Sequence, residues 1–131
     1  IKKERIIFAK RMNLEDHSCR HFCSDLFLDT FNYNAGATAN IALASGLPII
    51  TLAGKSYSAR MAASILSAYD LNELITNNES EYETLAYELA TNKKKLNDIR
   101  RKVRNNLDCS FFDANKYTHD LEVIYTNMLI E

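Results

Sequence analysis

Residues 25–53 read "DLFLDTFNYNAGATANIALASGLPIITLA", and the fold turns on how this stretch is parsed. Leu26 to Thr30 ("LFLDT") is apolar with an acid near its end, which predicts a buried strand. "FNYNAG" has the Asn and Gly content of a loop. "ATANIALASG" reads as a short helix, with Gly46 after it as a C-terminal stop. "LPIITLA" (Leu47 to Ala53) predicts the next strand, with Pro48 at its start, where a missing N–H is tolerated. Strand, short helix, strand is the pattern of a parallel sheet with right-handed crossovers.

Working outward, the pattern extends both ways. "RIIFA" (Arg5 to Ala9) is β-branched and aromatic and predicts another buried strand. "NLEDHSCRHFCSD" predicts a helix that Asn13 caps. After "GKS" turns the chain, "YSARMAASILSAYD" predicts an Ala-rich helix. Strand and helix therefore alternate three times. The second half reads as helical. "LNELITNNES" is a short bridge. Ser80, with Glu83 three residues later, predicts a capping box opening "SEYETLAYELATN". Leu96, Ile99, Val103 and Leu107 form one apolar face of a charged helix. A last helix is expected from Asp113 or Ala114, with Tyr117, Leu121, Ile124 and Met128 inward. The basic run Lys93 to Arg104 reads as a solvated helix face, with an anion-binding patch as the alternative. The expected architecture is one α/β, Rossmann-like domain over residues 1–131. It has a short parallel sheet flanked by helices and a helical C-terminal region.

The 131 residues are 47% apolar and 25% charged, values of a globular domain rather than a disordered chain. One proline and three glycines leave few breaks between regular elements. A net charge of −1 gives no support to a nucleic-acid or anionic-membrane partner. No apolar run approaches the roughly 20 residues of a membrane span. "IKKERIIFAKR" lacks the layout of a signal peptide. Three cysteines, an odd number without scaffold spacing, predict reduced thiols in a cytoplasmic protein. Asn78-Glu79-Ser80 is a sequon that reads as accidental without an export signal. The chain opens at Ile1 almost directly in a predicted strand, and is read as a piece of something longer.

In an open parallel sheet, ligands sit outside the carboxyl ends of the strands. Here a strand ends at Asp29–Thr30 and a helix starts near Gly36–Ala37. The first N–H groups of a helix lack internal partners and carry the positive end of its dipole. Gly36, Ala37, Thr38 and Ala39 present little side chain, and Thr38 adds a hydroxyl, so a diphosphate fits there. The competing reading is a tight strand-to-helix packing turn. G-x-G-x-x-G is absent. "AGKS" (Ala53 to Ser56) is not a P-loop, because position 49, where that motif needs glycine, is Ile. In "HSCRHFC" (His17 to Cys23), His17 and His21 share one helix face and the cysteines another, roughly 200° away. They do not converge on a tetrahedral metal. Core packing of the cysteines is expected, with His17 facing the ligand crevice and a two-residue partial metal site as the lesser reading. Asp29, the best-placed acid, is expected to bond loop N–H groups.

"RIIFAKRMNLEDHSCR", "DLFLDTFNYNAGATANIALASGLPIITLAGKSYSARMAAS", "LNELITNNESEYETLAYELA" and "SFFDANKYTHDLEVIYTNM" together resemble, in order and over nearly the whole chain, the C-terminal catalytic half of the O-linked N-acetylglucosamine transferase family. That family includes bacterial tetratricopeptide-repeat glycosyltransferases and plant SPINDLY-like fucosyltransferases. The resemblance implies a GT-B fold, two Rossmann-like halves of which this one holds the nucleotide-sugar donor. It implies that His17 packs on the uracil and that Met12 lies where backbone groups meet the base. Gly36, Ala37 and Thr38 match the turn whose helix N-terminus holds the diphosphate; Asn34 and Asn40 complete the candidate donor site.

This sequence departs from the family at four places. The family's histidine falls on Gly36, a threonine on Ala37, a base-region lysine on Leu14, and a ribose-binding aspartate on Ile41. The last change removes a charged acceptor worth roughly 1.5–3 kcal/mol. The implied activity of the parent is sugar transfer, N-acetylglucosamine from its UDP donor, to protein Ser/Thr or another acceptor, with no metal and no further cofactor. The alternative is a degenerate GT-B half serving as an interaction or assembly module. The implied partners are the nucleotide sugar, a protein or glycan acceptor and the N-terminal GT-B half, with self-association through an edge strand or the last helix. The residues expected to perform catalysis precede this stretch, so the isolated chain is expected to be inactive.

Overall fold

The computed structural model describes residues 2–106 and 113–129; Leu107 and Cys109 lie outside them. It is a helix-rich α/β fold built on a three-stranded parallel sheet of order β1-β2-β3. The strands are β1 (Phe27–Leu28), β2 (Ile49–Leu52) and β3 (Ile75–Thr76). Phe27 and Leu28 pair with Ile49 and Ile50; Thr51 and Leu52 pair with Ile75 and Thr76. β2 is the central strand, and Ile49, Ile50 and Thr51 are fully buried, as expected of a parallel strand covered on both faces.

Two strand expectations need correction. Residues 5–9 are not a strand: a short 3-10 turn, Lys3–Arg5, is followed by unpaired chain in which Ile7 is 87% and Phe8 91% exposed. β-propensity expresses itself only where a neighbouring strand and a packed face are present, and none of the described residues supplies either. Conversely, the stretch read as a bridge contains β3, entered through a 3-10 turn, Asn72–Leu74. Two residues are too few for a periodic signal.

Helices α1 (Leu14–His21), α2 (Ala37–Ala44), α3 (Met61–Ala68), α4 (Glu79–Thr91), α5 (Lys93–Asn105) and α6 (Ala114–Met128) follow in chain order. Asn13 caps α1 by accepting from the Asp16 N–H at 2.8 Å. The capping box of α4 sits two residues earlier than expected. Asn78 accepts from the Glu81 N–H at 2.9 Å, and Glu81 reaches back to the Asn77 N–H at 2.9 Å. Asn78 precedes Ser80 in the chain and is as good a cap, and the helix starts on it. The Asn77 N–H first, and then the Asn78 side-chain amide, which donates to the Glu81 carboxylate at 2.7 Å, hold that carboxyl below its usual range. Asn92 ends α4 and caps α5, accepting from the Lys95 N–H at 3.0 Å.

Gly46 closes α2 at φ 73°. Its N–H bonds the Leu43 carbonyl at 2.8 Å and the Leu47 N–H bonds the Ala42 carbonyl at 3.0 Å. This is the paired C-terminal closure that favours glycine. Asp70, at φ 55°, closes α3 in the same way. Leu96, Ile99 and Val103 bury the apolar face of α5 as expected, against Leu43, Leu66, Tyr69, Leu71, Leu74 and Leu89.

Two packing expectations fail. None of the described residues of α6 is buried: Tyr117, Ile124 and Met128 are exposed and Leu121 half-buried. The helix forms where expected, with Asp113 as its cap, but among the described residues nothing covers its apolar stripe. Cys19 and Cys23 are exposed rather than in the core; α1 turns His21 inward instead, to 8% exposure. No helix among the described residues is long and apolar enough to cross a membrane.

Candidate functional site

The carboxyl end of β1 runs into the loop that opens α2. Asp29, only 4% exposed, organises that loop. Its Oδ1 accepts from the backbone N–H of Thr30 at 2.9 Å and of Ala35 at 2.8 Å. Its Oδ2 accepts from the Thr51 hydroxyl at 2.7 Å, and its carbonyl from the Tyr82 hydroxyl at 2.9 Å. The loop-bonding role expected for Asp29 is what the structure shows. Burial, and then the Asp29 charge, push the Tyr82 phenol up to about 12, so it stays protonated and donates. Asn34, also buried, donates from its side chain to the Thr30 carbonyl at 2.7 Å and from its backbone to the Ser58 carbonyl at 2.9 Å. The Thr30 hydroxyl donates to the Tyr33 carbonyl.

α2 therefore begins from a braced loop, at Gly36, and no side chain caps it. α1, α4, α5 and α6 all carry an Asn or Asp cap, and α3 continues a 3-10 turn, Ser58–Arg60. Ala37 and Thr38 are exposed. A cavity of about 570 Å³ opens here, lined among others by Phe27, Asp29, Thr30, Tyr33, Asn34, Gly36, Ala37, Thr38 and Met61. It presents the uncapped start of α2, a threonine hydroxyl and small side chains, groups of the kind that can meet an anion. The Asn34 Oδ1 is buried there without a hydrogen-bond partner.

Of the residues singled out from the sequence, Asn34, Gly36, Ala37 and Thr38 line this one cavity; Met12, His17 and Asn40 do not. Met12 is exposed. Asn40 lies one turn into α2, with its Oδ1 buried and unpartnered. His17 is half-buried on α1, its Nδ1 2.5 Å from an Arg20 guanidinium nitrogen. Its ring meets His21 edge-on at 4.8 Å, and His21 in turn lies 6.4 Å from Phe27, which lines the cavity. His17, which does not line the cavity, is thus linked to its lining through the His21 and Phe27 rings. Burial, then the neighbouring His17 and Arg20, hold the His21 pKa below its usual value, so this inner ring is biased to the neutral form.

Tyr33 and Met61 also line the cavity and were not foreseen. Met61 is brought in by α3, a long-range packing event with no local signal, though a Cβ on Gly36 would approach its Sδ to 3.0 Å. Part of the reason for Gly36 is therefore packing, as the competing reading held. The "AGKS" turn is structural: the Gly54 N–H bonds the Ala59 carbonyl at 2.8 Å, and a Cβ on Gly54 would come within 2.5 Å of the Ala59 Cβ. Among the described residues, no three His, Cys, Asp or Glu side chains are grouped to hold a metal ion.

Comparison with known proteins places the chain in a family. The family model for glycosyl transferase family 41 matches residues 1–121. The chain is 33% identical over 130 residues to the probable UDP-N-acetylglucosamine–peptide N-acetylglucosaminyltransferase SEC of Arabidopsis thaliana, covering 98% of this chain and 13% of that protein. It is 33% identical over 114 residues to the SPINDLY protein of the same description from Eustoma exaltatum subsp. russellianum, covering 86% of this chain and 12% of that protein. Its structure matches a Thermobaculum terrenum O-GlcNAc transferase mutant with a TM-score of 0.89 and 30% identity, over 95% of this chain and 24% of that one. The chain thus spans about an eighth of the length of these two plant relatives. A shared sequence pattern and a shared fold, both running almost end to end, establish that the chain belongs to glycosyltransferase family 41.

Proposed function

We propose that residues 1–131 form the donor-binding half of a GT-B glycosyltransferase, whose longer parent transfers N-acetylglucosamine from UDP-N-acetylglucosamine to protein Ser/Thr or another acceptor. The observation that carries this reading is the uncapped, exposed start of α2 facing a cavity at the carboxyl end of β1. In this reading the diphosphate lies against the N–H groups of Ala37 and Thr38 and the Thr38 hydroxyl. They meet the charge that develops on it as the sugar departs, with no reorganisation at the moment of reaction. The base lies over α1 beside His17 and Met12, and the ribose beside Asn40. The acceptor and the remaining catalytic groups come from the other half.

A second reading keeps the fold as an interaction module. It is favoured by Ile41, which stands half-buried in α2 where the family has an acid, and by the bare Ile7 and Phe8. Calorimetric titration of the chain with UDP, UDP-N-acetylglucosamine, GDP and uridine separates the two. Binding of the uridine diphosphates, weakened by Thr38→Val, supports the donor site. Neither heat nor a thermal shift at millimolar nucleotide leaves the module.

A further inference from the structure

We propose that the buried Asp29 carboxylate, with Thr51 and Tyr82, is the positioning device that aims the start of α2 at the donor's diphosphate. The inference rests on the nucleotide reading above. Asp29 touches no ligand in this scheme; it acts through the backbone. Its Oδ1 joins the N–H groups of Thr30 and Ala35, the two ends of the loop, and so fixes where Gly36 and Ala37 emerge. Its other oxygen is held by Thr51 on the central strand, and its carbonyl by Tyr82 on α4. Thr51 is held in turn, since its carbonyl accepts from the Thr76 hydroxyl at 2.9 Å. Phe31, inside the loop, packs edge-on against Tyr82 with ring centroids 5.0 Å apart. β1, β2 and α4 therefore hold one loop, with β3 bracing β2 behind it.

A plain turn needs none of this. A buried carboxylate is costly to desolvate, and it is tolerated here because three donors engage its two oxygens. The result is a helix terminus whose amide directions are set before any ligand arrives, which an anion seat requires. Such a device acts on the diphosphate and leaves the base and ribose contacts alone.

The test is the affinity of the chain for UDP and for uridine, measured side by side for the unaltered protein, Asp29→Ala, Asp29→Asn and Tyr82→Phe, with folding checked by circular dichroism. The amide of Asn retains an acceptor for the Thr30 and Ala35 N–H groups and offers a donor to Thr51. Asp29→Ala is expected to weaken UDP about tenfold while uridine stays within about twofold, and Asp29→Asn to restore UDP to within about threefold. Parallel losses for UDP and uridine, or no loss for either, overturn the proposal. Should Asp29→Ala fail to fold, Tyr82→Phe carries the test: a loss confined to UDP sustains the proposal and unchanged UDP binding sinks it. An unaltered protein that binds neither ligand defeats the nucleotide reading itself, and this inference with it; one that binds UDP no better than uridine defeats the diphosphate seat and this inference while leaving nucleoside binding standing.

Discussion

Replacing each of the three glycines by alanine should produce three different losses, in an order the geometry dictates. At Gly54 the new Cβ would meet the Ala59 Cβ at 2.5 Å and the Ala59 carbonyl oxygen at 3.3 Å. Neither neighbour is the end of a flexible side chain, so the turn itself must move, at a cost of about 2–3 kcal/mol, the upper part of the range for overpacking. At Gly46 the backbone sits at φ 73°, a conformation that costs an L-residue roughly 1–2 kcal/mol. Alanine recovers about 0.4–1 kcal/mol by restricting the unfolded chain, and the Arg104 side chain, 3.1 Å from the new Cβ, can swing aside. The net loss is about 1 kcal/mol. At Gly36 φ is −103°, outside the left-handed region, and the close neighbour is the Met61 Sδ at 3.0 Å. Methionine adjusts readily, so the change should stay within about 0.5 kcal/mol. Urea unfolding followed by circular dichroism reads all three, and a loss of 1 kcal/mol should lower Tm by roughly 3–6 °C in a chain of this size. Gly36→Ala costing more than Gly54→Ala would refute the reasoning, because rigid backbone would then be yielding more easily than a thioether.

Two further predictions follow from burial and capping. His21 is held neutral by burial and by the nearby His17 and Arg20. The unfolded chain therefore binds a proton more readily than the folded one, and stability should fall as pH drops from about 6.5 through the lowered folded value. Urea titrations across pH 5–8 on His21→Gln should show a shallower slope than the unaltered chain; an identical slope would show that His21 is not its source. Asn78→Ala should cost about 1 kcal/mol by removing the cap of α4, whereas Ser80→Ala should fall within about 0.5 kcal/mol. Equal losses at the two positions would return the start of the helix to where the sequence pattern first put it.

Much of the fold was legible because its signals are local. Asn13 before an acidic first turn and Gly46 after an Ala-rich run are written within a few residues of the ends they define. The misreadings share a different cause. "RIIFA" has strand character but no partner strand among the described residues, and β3 has a partner but too little sequence to show it. A hydrogen-bonded neighbour, not propensity, decides between them. The same holds for α6, whose apolar spacing specifies a stripe without naming what covers it. At the site, the small residues from Gly36 to Thr38, which line the cavity, stand together in the sequence. Met61 and Tyr82, contributed by α3 and α4, had no local mark.

By itself, then, the sequence determined which segments coil and where they stop, the family to which they belong, and the small-residue turn at the head of α2. Those properties depend on backbone sterics and nearest-neighbour hydrogen bonds, which act over a handful of residues. Only the tertiary structure decided that Asp29 is buried among Thr51, Tyr82 and the loop N–H groups, that His21 rather than Cys19 or Cys23 turns inward, and that His17 lies outside the cavity lining. Those outcomes are set by which distant side chains fill the same volume, and close packing is a property of the whole assembly rather than of any segment.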